Sequence, residues 1–144
     1  MFVEDLIGNT PLVEIRHINK NPNVKIYCKL EGQNPGGSVK DRAAYGMISE
    51  ALKRGDINKG DKLVEATSGN TGIALAMISR LLGLEMNLIM PDSATAERVK
   101  SMEAYGAKVI LTPAEQTIEY SRKVAEKMAE SGEYFMLNQF ANAD

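Results

Sequence analysis

Two glycine-bearing turns hold the residue types from which chemistry could be built. The first, "NPGGSVKDR" from Asn34 to Arg42, places Lys40 in the opening turn of a helix that starts directly out of Gly36 and Gly37. The positive end of the helix macrodipole lies there, so a carboxylate would be the more favourable side chain. An amine in that place either points into water or does chemistry. To act as nucleophile or base it must shed its proton, against an ordinary lysine pKa of about 10.4. The helix end supplies roughly 0.3–1 kcal/mol, less than one pKa unit, whereas burial depresses a lysine by up to about 3–5 units. Burial must dominate if Lys40 is reactive. Ser38, with Asp41 three residues on, matches a capping box and sets the helix start near Val39. The paired glycines let a ligand or another backbone approach closely.

The second turn is "EATSGNTG", Glu65 to Gly72, between a strand and a helix that is apolar on every side through Ile78. A helix apolar all round is buried, so its N-terminus opens at the carboxyl edge of a sheet with several unpaired N–H groups. Thr67, Ser68, Asn70 and Thr71 add hydroxyl and amide donors. That combination suits a carboxylate or phosphate. The alternative is that Ser68 or Asn70 merely caps the helix while Gly69 and Gly72 merely turn the chain. Two near misses bound the chemistry. "GDINKGDK" has the glycine spacing of a P-loop with Asp61 where the lysine belongs, and "SGNTG" lacks the G-x-G-x-x-G of a dinucleotide fold.

The elements that must position these turns follow from periodicity. Strand-like runs at 11–15 and 24–30, separated by "NKNPN", form a hairpin. Ala43, Ala44, Met47, Ile48, Ala51 and Leu52 recur at helical spacing, with Gly55 as the stop. Strands at 62–66, 86–90, 108–112 and 134–137 alternate with helices at about 71–82, 94–105 and 115–130. Such alternation with short connections predicts crossover units and a parallel sheet, hence an α/β fold of three layers: a small open parallel sheet flanked by helices and preceded by the hairpin. The chain ends at "NQFANAD", directly past a strand where ligand loops gather, and looks cut rather than finished.

Composition narrows the function classes. The chain has 144 residues, 44% hydrophobic and 25% charged, enough for one modest core. A formal charge of -2 with no basic face argues against nucleic acid or an anionic membrane as partner and for a small-molecule ligand. One cysteine, Cys28, and one histidine, His17, leave no disulfide framework, no thiolate zinc site and no expected metal. The acidic N-terminus and short apolar runs point to a cytoplasmic protein. Cys28 reads as a core thiol, most methionines as core residues, and Glu119 with Lys123 as a solvated helical pair.

The ordered motifs "IGNTPLV" at 7–13, "KLEGQNPGGSVKDR" at 29–42, "EATSGNTGIALAM" at 65–77, "MPDSATAERVKSMEAYGAKVIL" at 90–111 and "QFAN" at 139–142 resemble the cysteine synthase and cystathionine β-synthase group of pyridoxal-phosphate enzymes. "EATSGNTGIALAMI" and "MEAYGA" are closer to the B isoform of cysteine synthase. The resemblance implies the N-terminal domain of the fold type II enzymes, with residues 1–34 as a hairpin segment expected to pack on an absent second domain and residues 35–144 as the small α/β domain. It implies that Lys40 is the catalytic lysine, forming the Schiff base with pyridoxal 5'-phosphate and removing the substrate α-proton. Asn70 matches the residue that hydrogen-bonds the cofactor 3'-hydroxyl. Thr67, Ser68, Gly69, Asn70 and Thr71, with Gln139, match the groups that grip the substrate α-carboxylate. The implied reaction turns O-acetylserine and sulfide into cysteine and acetate in a homodimer of the full-length enzyme. The loop that holds the cofactor phosphate belongs to the second half of such enzymes and is not among these residues. A cystathionine β-synthase-type condensation with homocysteine, or a non-catalytic binding module, are the alternatives. A serine or threonine dehydratase fits less well, because those relatives carry phenylalanine where Val39 stands.

Overall fold

The computed structural model describes all of residues 1–144. After a short 3-10 turn at Val3–Leu6, strands β1 (Leu12–Glu14) and β2 (Tyr27–Lys29) pair antiparallel, with Val13 opposite Cys28. Both are shorter than the apolar runs that announce them. Between them the Asn19 amide bonds the carbonyls of Asn21 and Val24, and this local polar turn takes the chain off the ladder. The hairpin is little buried on either face: Leu12 is 63% exposed, Ile18 74% and Tyr27 52%. Cys28 is half-buried within it rather than in a core.

Helix α1 (Lys40–Arg54) buries Ala44, Met47, Ile48 and Ala51, one stripe at 3.6-residue spacing. Gly55, at φ +78°, takes the left-handed conformation that closes the helix, its N–H bonding the carbonyls of Ala51 and Leu52. Then come β3 (Lys62–Ala66), α2 (Asn70–Leu82), β4 (Glu85–Pro91), α3 (Ala96–Ala104), β5 (Lys108–Thr112), α4 (Ile118–Glu130) and β6 (Tyr134–Met136). These match the alternation expected from the sequence, with α3, α4 and β6 shorter than expected, β4 one residue longer at each end and α2 starting one residue earlier. Helix α4 starts late because Pro113 opens a turn in which the Gln116 amide bonds the Pro113 carbonyl. On its exposed side the pair that forms is Arg122 with Glu126 at 3.1 Å, not Glu119 with Lys123.

The four parallel strands lie in the order β5-β4-β3-β6. From β3 the chain moves outward through α2 and α3 to β5, then returns through α4 to the other side of β3. Right-handed crossovers running in opposite directions place their helices on opposite faces. The packing agrees. Leu63, Met86, Leu88 and Met90 join Ala44, Ile48, Leu75, Ile78 and Met102 in one core, while Val64, Ala66 and Ile89 meet Ala125 of α4 in the other. This is the three-layer α/β arrangement, with the sheet between α1, α2 and α3 on one side and α4 on the other. No helix is long and apolar enough to cross a membrane.

One contact fixes how α3 crosses the start of α2. A Cβ built on Gly72 would lie 2.7 Å from Cε of the fully buried Met102 and 3.1 Å from Cγ2 of Thr67. Gly72→Ala is expected to cost about 1–3 kcal/mol by overpacking. Met102→Ala alone costs about 2–5 kcal/mol through its cavity. In the double variant the new methyl enters the vacated space, so urea denaturation gives a double-variant cost smaller than the sum of the two. Strict additivity would show that the two side chains do not meet.

Candidate active site

In open α/β sheets ligands bind beyond the carboxyl ends of the strands, where the strand order reverses. Here the reversal falls between β3 and β6. The loop after β3 is Thr67-Ser68-Gly69, and the loop after β6 runs through Asn138 and Gln139. The topology therefore brings the "TSGNT" turn and Gln139 together from positions far apart in sequence, and the Gln139 amide Nε2 donates to the Ala66 carbonyl at 3.3 Å.

The turn itself is a set of unspent donors. Gly69 is the N-cap of α2 and no side chain caps the helix, so Ser68 and Asn70 do not fill that role. The only amides of the first turn bonded within the chain are those of Gly72 and Ile73, both to the Gly69 carbonyl. The Thr67 amide continues the sheet to Ile89, and beyond it the amides of Ser68, Gly69, Asn70 and Thr71 have no protein acceptor. Thr67 and Thr71 are buried, Ser68 and Gly69 half-buried and Asn70 exposed. Four free N–H groups at a positive helix end, flanked by three hydroxyls and an amide, form a cradle for a small anion. A Cβ on Gly69 would meet nothing within 4 Å, so the space above the turn is open.

The second turn is held more tightly than a capping box would hold it. The buried Ser38 hydroxyl accepts from the Lys40 amide at 3.1 Å, while the Asp41 carboxylate reaches back past Ser38 to the Gly36 amide at 2.5 Å. Helix α1 accordingly begins at Lys40, one residue later than the capping pattern predicts. Gly36 is required because a Cβ there would lie 2.5 Å from Oδ1 of Asp41, and Gly37 because it adopts φ +85°. Asp41 is fully buried; that burial pushes its carboxyl above the usual range, opposed by the Gly36 amide. One residue beyond, Arg42 clasps Glu31 through Nε at 2.9 Å and Nη2 at 3.0 Å, and Thr10 and Asn34 also donate to Glu31. The Arg42 guanidinium, aided by Thr10, lowers the Glu31 carboxyl to about 2. This cluster ties the start of β1 and the turn before α1 to the helix that carries Lys40.

Lys40 itself is exposed and enters none of the ion pairs of the chain. The burial that its reactivity calls for is not supplied by residues 1–144. Lys40 and the Thr67–Thr71 turn line none of the cavities, so this end of the sheet is an open shelf. The largest concavity, about 510 Å³, lies at the opposite edge beside Lys62 and Tyr134, away from the free donors.

Sequence reasoning missed Glu65 and Asn138. Glu65 is 1% exposed on the same sheet face as Leu63, and burial raises its carboxyl despite the amides of Asn138, Gln139 and Ala66. A charged residue inside the apolar run "KLVEA" was the available signal. Asn138 sits at φ +55°, which nothing in its neighbours announced.

A three-layer α/β fold with a lysine-bearing glycine turn, and with free amides at the switch point of its sheet, has the layout of an α/β domain whose candidate ligand loops gather at the carboxyl ends of the strands. The chain belongs to the pyridoxal-phosphate dependent enzyme family, whose model matches residues 3–144. It is 55% identical over 142 residues to cysteine synthase B of Salmonella typhimurium and 54% identical to that of Escherichia coli, covering 99% of this chain and 47% of each relative. A solved cysteine synthase from Entamoeba histolytica superposes with a TM-score of 0.92 at 37% identity, over 98% of this chain and 44% of that one. The chain spans about half the length of the relatives it matches.

The family's cofactor is pyridoxal phosphate, and the residues present fit it in part. A free amine at Lys40, an exposed amide at Asn70 and an unspent anion cradle are of the right chemistry.

Because burial raises the folded Asp41 pKa, the stability that its neutral form permits is full below the unfolded value of 3.8 and is lost as pH rises through the folded value. Asp41→Asn keeps the acceptor for Gly36 and cannot ionise. Urea unfolding at pH values from about 3 to 8 is expected to show the variant gaining on the wild type as pH rises. A constant difference would mean that Asp41 titrates alike in the folded and unfolded chain.

Proposed function

We propose that this chain is the substrate-carboxylate and lysine-bearing portion of a cysteine synthase, which exchanges the acetate of O-acetylserine for sulfide to give cysteine. The single observation that carries the reading is the row of unpaired amides from Ser68 to Thr71, on a chain more than half identical to cysteine synthases B. Bound pyridoxal phosphate supplies an electron sink that acidifies the substrate α-carbon. Lys40 is the residue that would hold the cofactor, and its amine would serve as general base toward the substrate α-proton. Asn70 steadies the cofactor through its 3'-hydroxyl. Thr67, Ser68, Gly69, Asn70 and Thr71, with Gln139, hold the substrate α-carboxylate and so orient the α-proton toward Lys40. Each hydrogen bond to a charged group contributes about 1.5–3 kcal/mol, so several together fix the substrate in one pose.

The same reading accounts for two features that residues 1–144 leave open. The exposed hairpin of residues 1–34 packs on a second domain of the full-length protein, and that domain covers Lys40 and takes it out of water. It also carries the cofactor's phosphate loop, so residues 35–144 alone hold the cofactor weakly. The full-length enzyme is a cytoplasmic homodimer whose partners are small molecules.

Borohydride reduction of the full-length enzyme with pyridoxal phosphate bound, followed by peptide mapping, is expected to place the label on Lys40 and to lose it in Lys40→Ala. Label spread over the other exposed lysines would overturn the assignment. Ser68→Ala, removing one donor to the carboxylate, is expected to weaken O-acetylserine binding by roughly ten- to a hundredfold, measured by calorimetry on the full-length enzyme.

A further inference from the structure

Two buried oxygens at the switch point lack any partner: Oε2 of Glu65 and Oδ1 of Asn138. They belong to neighbouring groups, since the Glu65 carboxyl lies against the amides of Asn138 and Gln139. Two sealed acceptors on residues packed this closely are costly, each forfeiting a hydrogen bond it makes in water. A single proton shared between them removes both deficits.

We infer that Glu65 is a positioning residue: its Oε2 carries a proton and donates it to Oδ1 of Asn138, locking the left-handed turn from which Gln139 is presented to the Thr67–Thr71 loop. The inference rests on the carboxylate-binding reading of that loop only for its consequence, not for the bond itself. The surroundings favour the neutral acid. Glu65 is 1% exposed and stands opposite Leu88 on β4. The titratable groups of the neighbouring strands, Glu85 on β4 and Tyr134 on β6, align with Lys62 at the far end of β3. On α1 the buried Asp41 is engaged by Gly36, and on α2 the one charged residue, Arg80, lies in the last turn. From α4, across the sheet, Arg122 pulls toward the ionised form, but its guanidinium is held by Glu126. No cation meets the carboxyl directly, so desolvation decides.

The bond gives Gln139 a fixed base. Its own side chain is tied to the Ala66 carbonyl, one residue beyond Glu65, so the loops after β3 and β6 are stitched twice, by Gln139 to Ala66 and by Glu65 to Asn138. A loop so fixed presents its donors without paying ordering entropy when a substrate carboxylate arrives. Ionisation of Glu65 would break one stitch and set two acceptors against each other, freeing the Asn138 turn.

Isotope-edited infrared spectroscopy of the 144-residue chain, with carboxyl-labelled glutamate, reads the proton directly. Glu65 is the only fully buried glutamate, so at pH 7 a single labelled C=O band of a hydrogen-bonded carboxylic acid is expected, absent from Glu65→Gln. The band should move to the position of a free acid in Asn138→Ala, or in Asn138→Gly, which suits the left-handed backbone if the alanine variant does not fold. Glu65→Gln, which keeps a donor, should leave the Gln139 amide resonance in place, whereas Glu65→Leu should shift it. A spectrum with only carboxylate bands at pH 7, with the Asn138 amide turned to donate, would overturn the inference, as would an acid band indifferent to Asn138. Nothing is bound in this experiment, so its outcome is independent of whether the loop takes a substrate carboxylate.

Discussion

The ladder between β3 and β6 ends before β3 does, and the site depends on that shortfall. On the β4 side β3 is paired through Ala66, whereas on the β6 side the pairing stops at Val64 with Met136. A parallel sheet continued for its full length on both sides would have covered Glu65 and Ala66 with strand backbone. Instead the chain leaves the ladder after Met136, turns through the left-handed Asn138 and returns a side-chain amide to the Ala66 carbonyl. The gap between the strands becomes a place where two loops face each other. The reversal of strand order creates this place, and right-handed crossovers on both faces require the reversal.

Both candidate turns are braced from beneath by a carboxyl withdrawn from water. Asp41 lies fully buried under the Gly36–Gly37 turn and Glu65 under the Thr67–Thr71 turn. Neither meets a cation; each meets backbone amides, Gly36 for one and Asn138, Gln139 and Ala66 for the other. Burying a carboxyl is costly, and a leucine in either position would cost less in desolvation. What a carboxyl offers and a leucine does not is a directional claim on a particular amide, so a backbone that could take several turn conformations is held in one. The chain accepts a loss of stability at these two points and gains rigidity in the loops above them, which is where binding groups need it.

Much of this was visible in the sequence because it rests on local rules. The period of Ala44, Met47, Ile48 and Ala51 gave helix α1, and Gly55 gave its end. Alternating short apolar runs and helices gave the parallel sheet and its three layers, and the apolar character of Ile73 to Ile78 gave a buried helix, with an anion site or a plain cap both open at its N-terminus. The parts that were not visible depend on partners distant in sequence. Ser38 and Asp41 read as a reciprocal cap, but Asp41 found Gly36 because the glycine turn folds back within its reach. Glu65 read as one residue of a strand; its importance comes from Asn138, more than seventy positions away. The exposure of Lys40 could not be inferred at all, since local periodicity does not report what covers a helix start.

That exposure sets the division of labour in the molecule. Lys40 stands in the open at a helix N-terminus and enters no ion pair. The free amides, by contrast, are already arranged: they are oriented by α2, and their loop is fixed from β3 and β6. The two turns thus differ in what residues 1–144 supply: the switch point of the four-stranded sheet is built in full, whereas Lys40 stands uncovered at its helix start.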